Sequence, residues 1–296
     1  MCGFGAFWRV VVRIFTDAAQ RAFFHMPSPL HLVASDMDGT LLAPSGTLSE
    51  RTLAVVRDLR ARGILFAIAT GRPAPALQQH VDRLGLAIPC ITFNGSSLMH
   101  MRPLLPPTPL WEHSLSGDLA EKAIRFAVGA GCCVSYSMRD RAVALVTSAA
   151  HRAFLTRYET LEGVTQGVCE EQADMLSLPA PALKIVALTD TPDETAAAAR
   201  AALANEALHV ISAEMHIEFM PLGNNKAVAL ARLCEVLRLP MSSCAAFGDG
   251  DNDAEMLAAV GLGDLLHEGR TREVSALPAS LYRIPVPHPH YLLRTL

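Results

Sequence analysis

Three short apolar runs, residues 31–34, 64–69 and 88–93, alternate with two segments of helical periodicity, and this alternation limits what the chain can fold into. Between the first two runs, Leu53, Val56 and Leu59 recur at helical spacing over 48–62, with Thr47 or Ser49 as N-cap. Between the second and third, Leu77, Val81 and Leu84 do the same. Strands that alternate with helices at this spacing form βαβ units on a parallel sheet with right-handed crossovers. Each run also stops in a polar, glycine-containing turn: Ser35-Asp36-Met37-Asp38-Gly39-Thr40, then Thr70-Gly71-Arg72-Pro73, then Asn94-Gly95-Ser96-Ser97. In open α/β sheets ligands bind outside the carboxyl ends of the strands, so these turns face a ligand rather than a core.

After Ser97 the texture changes. Residues 101–109 are proline-rich. Strands are predicted at 132–136, 142–146, 184–188, 209–211 and 216–220, with helices over 117–130, 149–161 and 193–204. Pro221 and Gly223 mark a return, followed by an amphipathic helix over 225–237, a fourth apolar strand over 244–247 and a helix over 253–260. The predicted class is α/β: a Rossmann-like parallel sheet core, residues 26–97 and 222–296, interrupted by an inserted α+β cap at 98–221. Within the second core segment, 264–296 reads as an atypical tail.

Composition narrows the function. A formal net charge of -4 with 18% charged and 51% hydrophobic residues gives no basic bias toward nucleic acid. No apolar run reaches the roughly 18 residues of a spanning helix. The seven cysteines are scattered, odd in number and without Cys-x-x-Cys spacing, so neither a zinc site nor a disulfide framework is indicated, which fits a reducing, cytoplasmic setting. Residues 1–25 stand apart, with Arg9, Arg13 and Arg21 against the single acid Asp17 among Val and Phe. This stretch reads either as an organelle-targeting helix or as an extension upstream of a start at Met26.

The fourth strand ends in Gly248-Asp249-Gly250-Asp251-Asn252-Asp253, a second acidic turn on the same sheet edge as Asp36 and Asp38. Two carboxylates held close repel unless a cation lies between them or one keeps a proton. Carboxylates from two strand ends make an all-oxygen site suited to Mg²⁺, which prefers hard ligands and retains waters and substrate phosphate. Thr70 offers a hydroxyl and an N–H to phosphate oxygens, and Lys226 adds a positive charge at the start of a helix. An EF-hand calcium loop is a poor fit, because the downstream bidentate glutamate is missing.

These motifs, Asp36-Met37-Asp38-Gly39-Thr40, Ala69-Thr70-Gly71-Arg72, Lys226 and Gly248-Asp249-Gly250-Asp251-Asn252-Asp253, resemble the four motifs of the haloacid dehalogenase (HAD) superfamily. Leu41-Leu42, Phe93-Asn94-Gly95-Ser96 and an insertion after the third strand resemble its Cof-type sugar-phosphate phosphatases, which carry a large α/β cap. The resemblance implies a Mg²⁺-dependent phosphatase of small phosphorylated metabolites. It makes Asp36 the nucleophile that forms an aspartyl-phosphate and Asp38 the acid and base. It makes the Asp36 carboxylate, the Asp38 carbonyl and Asp249 the metal ligands, with Asp253 a further ligand or an anchor for Lys226. Thr70 and Lys226 cradle the phosphoryl group, and Gly71, Arg72 and Asn94 are further substrate contacts. Two other readings stay open: phosphoryl transfer within a substrate, as in the related phosphomannomutases, and a binding protein with an impaired site.

The resemblance is read from about residue 30 to Gly263. Beyond it the family's glycine-rich strand with an Asn-Ala pair is missing, which suggests a changed reading frame or a divergent terminus near 262–264. Asn224-Asn225 replaces the family's usual serine before the lysine and can still cap the helix. The sequon Asn94-Gly95-Ser96 at a buried strand end is read as inert, His288-Pro289-His290 as solvated tail and Cys132-Cys133 as core. Asp140 and Arg141 form a hairpin turn that offers weak candidates for substrate specificity.

Overall fold

The computed structural model describes residues 30–43, 45–178, 181–267 and 270–273. The readings of residues 1–25, of Met26 as a start, of the tail beyond 273 and of His288-Pro289-His290 lie outside the described residues. Among the described residues the chain forms two compact units, one of residues 30–71, 78–110 and 225–273, the other of Arg72–Leu77 and Trp111–Asn224.

The first unit is built on β1 (Leu32–Ser35), β2 (Leu65–Ala69), β3 (Ile88–Thr92), β4 (Ser97–Arg102), β5 (Leu105–Glu112), β12 (Cys244–Gly248), β13 (Leu262–His267) and β14 (Arg270–Glu273). They lie in the order β14-β13-β12-β1-β2-β3-β4-β5. The five strands from β13 to β3 run parallel, and β4 and β14 pair antiparallel with their neighbours β3 and β13. Leu32, Val33, Ala34 and the β12 residues Ala245, Ala246 and Phe247 are buried almost completely, as central parallel strands covered on both faces must be. The covering helices include α1 (Glu50–Ala61), α7 (Lys226–Leu237) and α8 (Ala254–Ala259), while α2 (Ala74–Leu84) belongs to this unit from Gln78 on. Ser49 caps α1 by accepting from the Thr52 N–H at 3.0 Å.

Chain order reverses at β1, with β2 on one side and β12 on the other. That is the topological switch point, the crevice where open α/β sheets bind ligands. The first sheet also takes in Ser97–Arg102 and Leu105–Glu112, which from residue 98 on fall in the stretch expected for the inserted domain. Pro106, Pro107 and Pro109 masked the strand signal there, yet proline is tolerated on an edge strand, where one side needs no N–H. The core likewise continues past Gly263, since Leu262 to Leu265 pair in parallel with Ala245 to Gly248. Gly263 lies so close to the Leu257 carbonyl that a Cβ would overlap it.

The second unit is a sheet of six strands, β6 (Cys133–Ser137), β7 (Ala142–Leu145), β8 (Gly167–Cys169), β9 (Lys184–Leu188), β10 (Leu208–Ala213) and β11 (His216–Pro221), in the order β10-β11-β9-β6-β7-β8. Its helices are α3 (Gly117–Gly129), α4 (Ala149–Glu162), α5 (Gln172–Leu176) and α6 (Pro192–Ala202). Alternate strand residues serve two cores. Val134, Tyr136, Ile185 and Ala187 pack with Ala123 and Ile124 of α3 and Ala196 and Ala199 of α6. Cys133, Val186 and Leu188 pack with Leu155 and Tyr158 of α4. Cys132 and Cys133 thus sit in core on opposite faces, as the period of two along a strand requires. Met138 donates to the Arg141 carbonyl at 2.8 Å, closing the turn that holds Asp140. On the α4 face Lys184 and Glu218 form a fully buried ion pair at 2.5 Å. Burial would push the lysine down and the glutamate up, but each charge outweighs this, so Lys184 is raised and Glu218 lowered.

Candidate functional site

The carboxyl ends of β1 and β12 meet at the switch point. Asp36 follows β1 directly, and its N–H donates to the Phe247 carbonyl at 2.8 Å, which ties the two strand ends together. The chain then turns tightly over Met37–Leu41, with Gly39 at φ 77°. A side chain at Gly39 would be strained, and a Cβ there would land on the Asp249 carboxylate. The Thr40 hydroxyl leaves its own loop and donates to Asp249 Oδ1 at 2.7 Å.

Asp36, Asp249 and Asp253 each bring a carboxylate oxygen to within 4.8 Å of the others. Lys226, at the first turn of α7 and completely buried, inserts its ammonium among them, donating to Asp36 Oδ1 at 2.6 Å and to Asp253 Oδ1 at 2.7 Å. The helix is held in place by Asn225, whose side chain accepts from the Val228 N–H at 2.8 Å. Asp253 Oδ2 accepts from the N–H groups of Asp249 and Gly250, both at 3.1 Å, so the acidic loop folds onto its own last carboxylate.

Burial sets the electrostatics. It pushes the Asp36 carboxyl up to about 7, against the pull of Lys226 and with the repulsion of Asp253 and Asp249. Burial also raises Asp249, opposed by the Thr40 hydrogen bond. Lys226 would be pushed down by burial, but Asp36 and Asp253 outweigh this and hold it above its ordinary value. Excess negative charge therefore remains at this edge, with hard oxygen donors on Asp36 and on the half-buried Asp249. That donor set fits a small divalent cation such as Mg²⁺.

Asp38 lies in the same turn, exposed, with its backbone extended at ψ 129°. Thr70 closes β2, buried; its N–H donates to the Ile91 carbonyl at 2.9 Å and its carbonyl accepts from the Asn94 N–H at 3.0 Å. Asn94 is in the left-handed region at φ 50°, and a Cβ on Gly71 would press against its amide at about 3.0 Å. Asn94 Oδ1 accepts from Asn252 Nδ2 at 3.0 Å, so the loops that follow β3 and β12 are linked. Asn252 was not singled out from the sequence, although it stands inside the acidic motif; only its spatial neighbour gives it a role. Arg72 belongs to the second unit, where its Nη1 donates to the Glu162 carbonyl at 3.3 Å. Among the described residues no helix is long and apolar enough to cross a membrane.

The solved structures similar to this chain include a haloacid dehalogenase-like hydrolase from Bacteroides thetaiotaomicron, at 19% identity over 79% of this chain and 87% of that one, with a TM-score of 0.67. A Thermotoga maritima protein matches at 19% identity over 79% and 85%, with a TM-score of 0.66. A further Bacteroides thetaiotaomicron protein, analysed among the phosphatases of the haloalkanoate (HAD) superfamily, matches at 18% identity over 79% and 83%, also at 0.66. At such identities the likeness speaks for the fold. The sequence family of haloacid dehalogenase-like hydrolases matches residues 33–274, past the Gly263 limit read from the motifs. A match of that extent makes this protein a member of the haloacid dehalogenase-like hydrolases.

Proposed function

We propose that the protein is a Mg²⁺-dependent phosphatase of the Cof type that hydrolyses small phosphomonoesters, such as sugar phosphates, through an aspartyl-phosphate. One observation carries the reading: Asp36, a buried carboxylate at the switch point, is gripped by Lys226 at 2.6 Å with Asp249 beside it. Asp36, Asp249 and the Asp38 main-chain carbonyl would hold the metal. When bound, the cation neutralises phosphate charge, so that a carboxylate can approach the phosphorus. Both oxygens of Asp253 are engaged, one by Lys226 and the other by two loop amides, and this favours Asp253 as the anchor of Lys226 rather than a ligand.

Asp36 attacks phosphorus, a P–O bond to Asp36 forms, and the ester P–O bond breaks. Asp38 gives its proton to the departing alkoxide. Asp38 then takes a proton from water as that water attacks phosphorus, and the bond to Asp36 breaks, releasing phosphate and restoring the carboxylate. Lys226 and Thr70 stabilise the charge on the transferring group, whose chemistry depends mainly on positioning and electrostatics. Gly71, Arg72 and Asn94 are proposed as substrate contacts.

The test is phosphate release from a panel of phosphorylated metabolites, with and without Mg²⁺, by the protein and by Asp36→Asn. Release that depends on Mg²⁺ and vanishes in the variant is expected. Full release by Asp36→Asn would overturn the nucleophile assignment, and an isomerised sugar phosphate without free phosphate would replace hydrolysis with intramolecular transfer.

A further inference from the structure

The helix that begins with Lys226 and the strand that leads to Asp249 each contribute one cysteine to a buried pair. Cys234 lies in α7 and Cys244 opens β12, and the two are 2% and 0% exposed. Their sulfurs share a hydrogen bond at 3.3 Å, and Cys244 Sγ also reaches the Pro240 carbonyl at 3.8 Å. We infer that Cys234 and Cys244 are an oxidisable dithiol, which hydrogen peroxide closes into a disulfide joining α7 to β12.

Geometry favours this pair over the other cysteines. A disulfide bond is about 2.05 Å long, so the sulfurs have roughly 1.2 Å left to close, within reach of side-chain torsions. The vicinal Cys132 and Cys133 point to opposite faces of their strand instead. Both sulfurs are buried, so peroxide reaches them when the adjoining turn opens, in which Arg238 and Pro240 are exposed and the Pro240 carbonyl meets Cys244 Sγ. The shared hydrogen bond also lowers the Cys244 thiol and raises that of Cys234, whereas burial raises Cys90, Cys132, Cys133 and Cys169. Cys244 is thus the more acidic thiol of the pair, and its deprotonated form is the attacking sulfur.

The Cys244 thiolate attacks one peroxide oxygen, the O–O bond breaks, and the departing hydroxide takes up the thiol proton as water, leaving a sulfenic acid. Cys234 sulfur then attacks the Cys244 sulfur, the S–O bond breaks, and hydroxide leaves with the Cys234 proton as a second water. Two thiols are oxidised and one peroxide is reduced to two waters.

The experiment uses the full chain, reduced, freed of reductant and exposed to hydrogen peroxide. Remaining thiols are blocked with N-ethylmaleimide in denaturant and the protein is digested with trypsin without reduction. Trypsin cuts after Arg238, between the two cysteines, so the expected product is a pair of peptides joined through Cys234 and Cys244, lighter by two hydrogens than their sum. Closing this short loop raises Tm by roughly 5–10 °C, reversed by dithiothreitol. The inference is overturned if both cysteines still carry maleimide after peroxide, if they appear as sulfinic acids or joined to other cysteines, or if the cross-linked protein melts no higher than the reduced one.

Discussion

Replacing Lys226 by methionine removes a charge from a buried network while nearly keeping its volume. The lysine and Asp253 side chains are 0% exposed and that of Asp36 is 9% exposed, so the substitution leaves the Asp253 carboxylate away from water without its cation and deprives Asp36 of its partner. Breaking a buried pair in this way costs about 3–5 kcal/mol. The loss must also depend on pH, and its sign follows from Asp36. Its carboxyl is raised to about 7 with Lys226 still pulling it down, so without Lys226 it rises further. A carboxylate raised in the fold contributes stability that is fully present below its unfolded pKa and is lost as pH rises through its folded pKa. Between the unfolded value and about 7, protein and variant hold this proton alike. Above that only the variant does, at about 1.4 kcal/mol per pH unit. From about pH 7 to about pH 8.5 the variant therefore loses about 2 kcal/mol more. At roughly 2–4 °C per kcal/mol, the Tm deficit of Lys226→Met should be about 4–8 °C larger at about pH 8.5 than at about pH 5.5. Thermal melts of EDTA-treated protein and variant at the two pH values measure it. An equal deficit at both, or a larger one in acid, would refute the coupling of Lys226 to Asp36.

Three further outcomes follow from the same edge of the sheet. Below about pH 7 a cation at Asp36 must displace a proton, so the apparent Mg²⁺ affinity should fall by up to about tenfold per pH unit there, read by titration calorimetry at about pH 6 and pH 8; equal affinities would contradict the raised carboxyl. Gly39→Ala places a Cβ at positive φ on the Asp249 carboxylate, which should lower stability by about 1–3 kcal/mol and weaken Mg²⁺ binding. If both quantities stay at their starting values, the close approach is not needed. Asn94→Ala and Asn252→Ala should be coupled through their 3.0 Å hydrogen bond, with a double-variant interaction energy of about 0.5–1.5 kcal/mol in denaturant unfolding. Strict additivity would show that the bond does not link the two loops.

The clustering of the candidate residues at one sheet edge was legible because they announce themselves by chemistry and place. Each motif follows a short apolar run, and a parallel strand buried on both faces can be little else than such a run. Partners were harder to read. Thr40 lies 209 residues from the Asp249 it bonds, and nothing in its own loop distinguishes a hydroxyl turned inward from one turned across. The strand at Leu105–Glu112 was hidden by its prolines, since propensity argues against a strand wherever tertiary pairing does not protect it. Past Gly263 the expected motif was absent, yet β13 still pairs with β12 because backbone hydrogen bonds bear no memory of side-chain identity. In the second unit, the buried ion pair of Lys184 and Glu218 joins residues on two neighbouring strands 34 positions apart, and only the pairing of β9 with β11 brings them together.

The different tasks proposed for the aspartates follow from where each stands in its loop. Asp253 ends a short helical turn, Asp251–Asp253, which points its carboxylate back at the N–H groups of Asp249 and Gly250. Those two bonds are local and form whenever the loop does, so one oxygen of Asp253 is occupied by its own loop and the other is aimed at Lys226. Asp249 has the opposite surroundings: its N–H is fixed by Asp253, one carboxylate oxygen takes the Thr40 hydroxyl, and it remains half-buried at the mouth of the crevice. Asp36 lies between them, with Lys226 on one oxygen and burial pressing its carboxyl toward the neutral form. A group held near neutrality with a proton on offer is the one whose charge state a nearby cation changes most, because added positive charge favours the ionised form. The acid best placed to become a nucleophile on metal binding is therefore the one that the fold, without metal, keeps from being fully charged.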